Sequence, residues 1–151
     1  MKTKEIKKVL IALDYDETSQ KVVEQGFAMA KGMNAEIILL HVISEKPSYY
    51  AEYTRMRELR VDFSGNIEEA TQKFLEKTKE HLGDDSIQIV LEYGDIAATI
   101  LDTAKDLNAD IIVMGSHSRR WLESILLGSQ ATDVLKKTTI PLYIIPTKKQ
   151  N

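Results

Sequence analysis

The sequence predicts an α/β fold, a five-stranded parallel open sheet with helices on both faces. Three observations predict it. Apolar residues gather in five short runs, stretches of helical spacing separate the runs, and the alternation repeats four times before a fifth run closes it. Runs this short, mostly unalternated and rich in β-branched residues, read as strands enclosed on both faces. Crossovers between such strands are right-handed almost by default.

The first run is Val9-Leu10-Ile11-Ala12-Leu13. Behind it Val23, Phe27 and Ala30 fall at i, i+4 and i+7, with Gly32 placed to cap the helix end. Asp16 is expected to cap the start of this helix, near Thr18. The second run spans Ile37 to Val42. Residues 44–66 form a long polar excursion containing Pro47, Tyr49, Tyr50 and Tyr53. A helix over 50–59 is compatible with its spacing, but no element is assigned there, and the tyrosines read as either a lid or a partner surface. Ile67, Ala70, Phe74, Thr78 and Leu82 then make a second helical stripe. The third run, Ile87 to Leu91, alternates more than the others and is expected to be less enclosed. Asp95 is placed to cap a third helix whose inner face is Ile96, Ile100, Ala104 and Leu107. Ile111 to Met114 is the fourth run. Thr132–Lys137 carries the fourth helix, with Lys136 and Lys137 at its negative end. Leu142 to Ile145 is the fifth strand.

A chain of 151 residues fits one domain, 1–151, large enough to need no disulfide or metal staple. Cysteine is absent, which excludes thiolate zinc sites and thiol nucleophiles and fits a reducing compartment. With 20 Lys and Arg against 23 Asp and Glu the net charge is −3, against the basic face of a nucleic-acid binder. Met1–Lys8 does not read as a signal peptide, and no apolar run approaches the roughly 20 residues of a membrane helix. A cytoplasmic protein without a membrane partner is expected.

In an open parallel sheet, ligands sit outside the carboxyl ends of the strands, where loops meet helix N-termini. Asp14 ends the first strand, His41-Val42 the second, and Gly115-Ser116-His117-Ser118 follows the fourth, with Gly128-Ser129 opening the last helix. A glycine lets a phosphate approach bare backbone, and a helix N-terminus offers unpaired N–H groups with a partial positive charge. Glycine and serine at a helix start are equally ordinary capping. The spacing is more specific. Gly115, Gly128 and Ser129, with residues 119 to 127 between, resemble the nucleotide-binding fingerprint of the universal stress protein family: Gly, two residues, Gly, nine residues, Gly, then Ser or Thr. Ser118 replaces the second glycine. Leu13–Ser19, Leu39–Val42, Tyr93-Gly94-Asp95 and Ile140-Pro141-Leu142 resemble other parts of the family, so the likeness covers nearly the whole chain outside 44–66.

The resemblance implies a Rossmann-like sheet of the adenine nucleotide alpha hydrolase type and a bound ATP or AMP, with Mg²⁺ as a companion ion. The main chain around Val42 would meet the adenine. Asp14 would face the ribose and adenine side with Ala12 close by. Gly115, Ser116, His117, Ser118, Gly128 and Ser129 would hold the phosphates, with Arg119 able to neutralise them. It also implies a homodimer paired through Leu142, Tyr143, Ile144 and Ile145, a role in stress response, and at most slow ATP hydrolysis with no catalytic or metal residue assigned. Ser118 keeps open an alternative, a dimeric interaction protein that binds no nucleotide.

Each feature also has a plainer reading. Asp14 reads equally as a strand-end cap. Trp121 reads better as an anchor for its loop than as a base-stacking ring, and Arg119 and Arg120 read equally as solvated surface. Ser116, His117 and Ser118 suggest a nucleophile and base. Neighbours on one loop are not expected to bring a serine oxygen and an imidazole nitrogen face to face, and Gly-x-Ser-x-Gly is absent. The three histidines, His41, His81 and His117, lack paired ligand spacing. A response-regulator receiver would need an acceptor aspartate where this chain has Leu91-Glu92-Tyr93.

Overall fold

The computed structural model describes residues 3–44, 67–117 and 127–147. The element order is β1 (Lys8–Ala12), α1 (Ser19–Gly32), β2 (Glu36–Ile43), α2 (Ile67–Leu82), β3 (Gln88–Tyr93), α3 (Ile96–Asp106), β4 (Ile111–Gly115), α4 (Ser129–Lys137) and β5 (Leu142–Ile145). The strands pair in parallel in the order β3-β2-β1-β4-β5. This is the expected open α/β sheet. Tyr49, Tyr50, Tyr53 and Trp121 lie outside the described residues.

Alternation along each strand builds a core on either face. Val9, Ile11, Ile37 and Leu39 pack with Val22, Val23 and Ala30 of α1 and Leu75 of α2. Leu10, Ile38, Leu40, Ile112 and Met114 pack with Ile96, Ile100 and Ala104 of α3 and Ala131 and Val134 of α4. Gly26 lets α1 approach the sheet, since a Cβ there would lie 2.9 Å from Ile11 Cδ1 and 3.2 Å from Val113 Cγ1. β3 is an edge strand with no buried residue, which accounts for the alternation in its sequence.

Several boundaries differ from the sequence reading, each for a local reason. Helix α1 ends not on a Gly32 cap but through Asn34, whose φ of 55° is left-handed. Asn34 N–H donates to Lys31 O and Ala35 N–H to Ala30 O, the paired bonds of a Schellman motif. Asn108, at φ 58°, repeats the arrangement after α3. Asp16 does not cap α1 either. Its Oδ1 accepts from Thr18 N–H at 2.8 Å and from the Thr18 hydroxyl, making an Asx turn ahead of the helix, whose cap is Thr18. Strand β3 begins at Gln88 because Ile87 N–H is held by Asp84 O in the preceding turn. The buried residues of α2 are Thr71 and Leu75, one position round from the predicted stripe. Helix α4 starts at Ser129, not Thr132, burying Ala131 in its first turn. Asp95 caps α3 as expected, accepting from Ala98 N–H at 3.1 Å.

Candidate functional site

The chain leaves β1 for β2 and β3 on one side and returns to place β4 on the other, so the order reverses between β1 and β4. A pocket opens there, at the carboxyl ends of the strands. Ala12, Leu13 and Asp14 enter it from β1, Leu40, His41 and Val42 from β2, and Met114 to His117 from β4. Gly128 to Ala131 come from the start of α4, and Ile96 and Ile100 from α3. Of the residues named from the sequence, Ala12, Asp14, Val42, Gly115, Ser116, His117, Gly128 and Ser129 all line this pocket. Ser118 and Arg119 lie outside the described residues.

Asp14 is held by its neighbours. Leu13 N–H donates to Leu40 O at 2.8 Å, and Leu13 O lies 2.6 Å from His41 Nδ1. A carbonyl only accepts, so Nδ1 carries the imidazole proton. Tyr15 packs against Phe74, with ring centroids 4.7 Å apart, and sets its edge toward His41. His41 is buried, and that burial pulls its pKa below the ordinary value, outweighing the opposing pull of Leu13 O and the Asp16 carboxylate. The sequence showed His41 at a strand end but gave no sign of its bond to Leu13.

Ser116 is the junction of the β4 exit. Its N–H donates to Ile145 O at 2.9 Å, and its carbonyl accepts from Gly128 N–H at 2.7 Å. Its hydroxyl accepts from Thr147 N–H at 3.0 Å and lies 2.9 Å from His117 Nδ1. The expectation that neighbouring serine and histidine do not meet is therefore overturned, because the imidazole folds back over the preceding residue. The pair does not make a free nucleophile. Ser116 is buried, and its oxygen is engaged by both Thr147 and His117.

Gly115 also has a packing reason beside the expected one. A Cβ there would lie 2.9 Å from Thr147 Cγ2 and 3.1 Å from Val22 Cγ2, on the α1 side of the sheet. Its lack of a side chain serves packing between strand exits. The helix that starts in the pocket is α4. Its cap, Gly128, has no side chain to satisfy the helix start. Helix geometry leaves the N–H groups of Ser129, Gln130 and Ala131 without intrahelical acceptors, and all three residues line the pocket. The facing wall, Ile96, Ile100, Val42 and Met114, is apolar. Among the described residues, one carboxylate, an apolar wall and a glycine-capped helix start line the pocket, which suits a ligand with a flat apolar part and an anionic part.

The comparisons agree with this architecture. The universal stress protein family profile matches residues 5–146. Universal stress protein MJ0577 of Methanocaldococcus jannaschii is 28% identical over 155 residues, covering 94% of this chain and 96% of that protein. Its solved structure superposes with a TM-score of 0.74 at 30% identity, over 97% of this chain and 99% of that one. Universal stress protein A of Escherichia coli is 26% identical, over 95% of this chain and 96% of its own length. A universal stress protein solved in complex with cAMP shares the fold, with a TM-score of 0.64 at 19% identity, over 96% of this chain and all of that one. No helix among the described residues is long and apolar enough to cross a membrane. With its sheet order, its pocket and the match over nearly its whole length, this chain belongs to the universal stress protein family.

Proposed function

We propose that the protein binds an adenine nucleotide, ATP or AMP, in the pocket between β1 and β4, and works as a homodimeric stress-response or signalling module in the cytoplasm. The observation that carries this reading is the glycine-capped start of α4 in a pocket with an apolar wall, at the point where the strand order reverses. The apolar wall suits a base, with the main chain at Val42 offering it polar partners. Asp14 suits the ribose hydroxyls. The α4 N–H groups and the Ser129 hydroxyl suit phosphate oxygens. Mg²⁺ accompanying ATP would take phosphate oxygens and water, with Asp14 as the carboxylate lining the pocket. The relative solved with cAMP supports the reading, since cAMP carries both an adenine and a phosphate. A binding module fits better than an enzyme using Ser116 as nucleophile, because Ser116 is buried and its hydroxyl oxygen accepts from Thr147 N–H.

Mass spectrometry of ligand released from freshly purified protein tests the reading, with ATP or AMP expected. Release of none, together with no calorimetric binding of either at millimolar concentration, overturns it. Ser118 in the place of a family glycine favours the second reading, an interaction protein without nucleotide. A Ser118→Gly variant that binds ATP where the parent binds none would show that this one side chain makes the difference.

A further inference from the structure

We propose that Thr147, which does not line the pocket, is the positioning residue that fixes the Gly115–His117 turn and so joins the outer strand β5 to the binding site. This deepens the nucleotide reading and rests on it for its effect on affinity.

The β4–β5 ladder runs from Ile112 beside Leu142 to Gly115 beside Ile145. Ile112 N–H donates to Pro141 O and Ser116 N–H to Ile145 O, so Thr147 N–H would come next in the ladder, on Ser116 O, but that carbonyl accepts from Gly128 N–H instead. Thr147 takes over with its own groups. Its N–H donates to Ser116 Oγ at 3.0 Å, its hydroxyl donates to His117 O at 2.7 Å, and the same oxygen accepts from His117 N–H at 3.1 Å. Both main-chain groups of His117 are thus held by one side chain. Gly115 leaves room for this, since a Cβ there would come within 2.9 Å of Thr147 Cγ2. Ser116, fixed from the Thr147 side, presents its carbonyl to Gly128 N–H at 2.7 Å. A continuous set of bonds therefore runs from the exit of β5, through the β4 turn, to the cap of α4. The turn faces the pocket and Thr147 stands behind it, so Thr147 acts on a ligand only through Ser116, His117 and Gly128.

The test is Thr147→Val, which keeps the shape and removes the hydroxyl, read by calorimetry with ATP and by amide hydrogen exchange at His117. ATP affinity is expected to fall roughly tenfold, the worth of about one or two hydrogen bonds, with faster exchange at His117. Thr147→Ser, which restores the hydroxyl, is expected to recover most of both. A lowered melting temperature with affinity and exchange unchanged overturns the proposal and leaves Thr147 a packing residue. If the parent binds no adenine nucleotide, the nucleotide reading fails separately. His117 exchange then decides whether the turn is fixed by Thr147, and unchanged exchange in Thr147→Val overturns that. Should Thr147→Val not fold, Gly115→Ala approaches the same seam from the other side, by pressing its new methyl on Thr147 Cγ2. Its loss of ATP affinity should be partly relieved by adding Thr147→Ser, which deletes Cγ2; no relief overturns the proposal.

Discussion

Replacing Asp14 by alanine separates a ligand contact from a structural cap. The turn after β1 is held by bonds of Leu13 and Asp16. Leu13 is pinned at both ends by Leu40 O and His41 Nδ1. Asp16 holds Thr18 through its own side chain, and Ser19 N–H and hydroxyl both reach Asp16 O. Were Asp14 only a cap, its loss would cost about 0.5–2 kcal/mol of stability and leave binding unchanged. If the carboxylate accepts from ribose hydroxyls, its loss removes hydrogen bonds to a charged group, worth about 1.5–3 kcal/mol. That corresponds to a roughly ten- to hundredfold rise in Kd for ATP. Isothermal titration beside a thermal melt measures both quantities on one preparation. An unchanged Kd with a clearly lowered melting temperature would refute the reasoning and make Asp14 a structural residue.

Three other outcomes are expected. Because burial holds the His41 pKa below 6.5, the unfolded chain binds more protons than the folded one from pH 6.5 down to the folded pKa. Stability should therefore fall as pH drops through that window. His41→Asn, which keeps a donor near Leu13 O and does not titrate, should flatten this part of the urea midpoint-versus-pH curve; an unchanged slope assigns the effect elsewhere. Gly26→Val should cost about 1–3 kcal/mol of stability by pressing side-chain carbons on Ile11 and Val113, and a melting temperature within a degree of the parent contradicts that packing. Strand β5 is an edge with Tyr143 exposed and no charge between Leu142 and Ile145, whereas the opposite edge, β3, carries Glu92. A homodimer pairing β5 strands is expected by light scattering at micromolar concentration, and Tyr143→Glu should yield monomer; a monomeric parent rejects the pairing.

The sheet was legible because enclosed strands must be apolar on both faces, so β1, β2 and β4 appear as continuous runs whatever surrounds them. The helix ends were less legible. Gly32 drew the cap assignment because glycine enters the left-handed region without strain, yet Asn34 and Asn108 do the same work with φ near 55–58°. Their signature is a single polar residue four positions past the last buried one, Ala30 or Ala104, and it is easily missed near a glycine. Asp16 was read as a helix cap because Asx turns and caps use the same side-chain acceptor. Only the position of the first helical residue, Ser19, separates them.

The site was legible in its spacing and only partly in its reasons. Gly115 and Gly128 were both taken as openings for phosphate. Gly128 caps the start of α4 and lines the pocket. Gly115 answers to Thr147 and Val22 on the far side of the sheet. Thr147 lies 30 residues beyond His117 and outside the fingerprint, so no local pattern could connect them. What links them is the parallel pairing of β4 with β5, which sets residues beyond Gly115 beside residues beyond Ile145. Gly128 N–H then takes Ser116 O, where the ladder would continue, and Thr147 turns to the Ser116 hydroxyl and the His117 main chain. Thr147 combines the needed groups in one place, a hydroxyl that both donates and accepts and a methyl that fills the space Gly115 leaves. The glycine of the fingerprint and the threonine after the last strand are therefore two halves of one seam, and a change in either should be felt by the other.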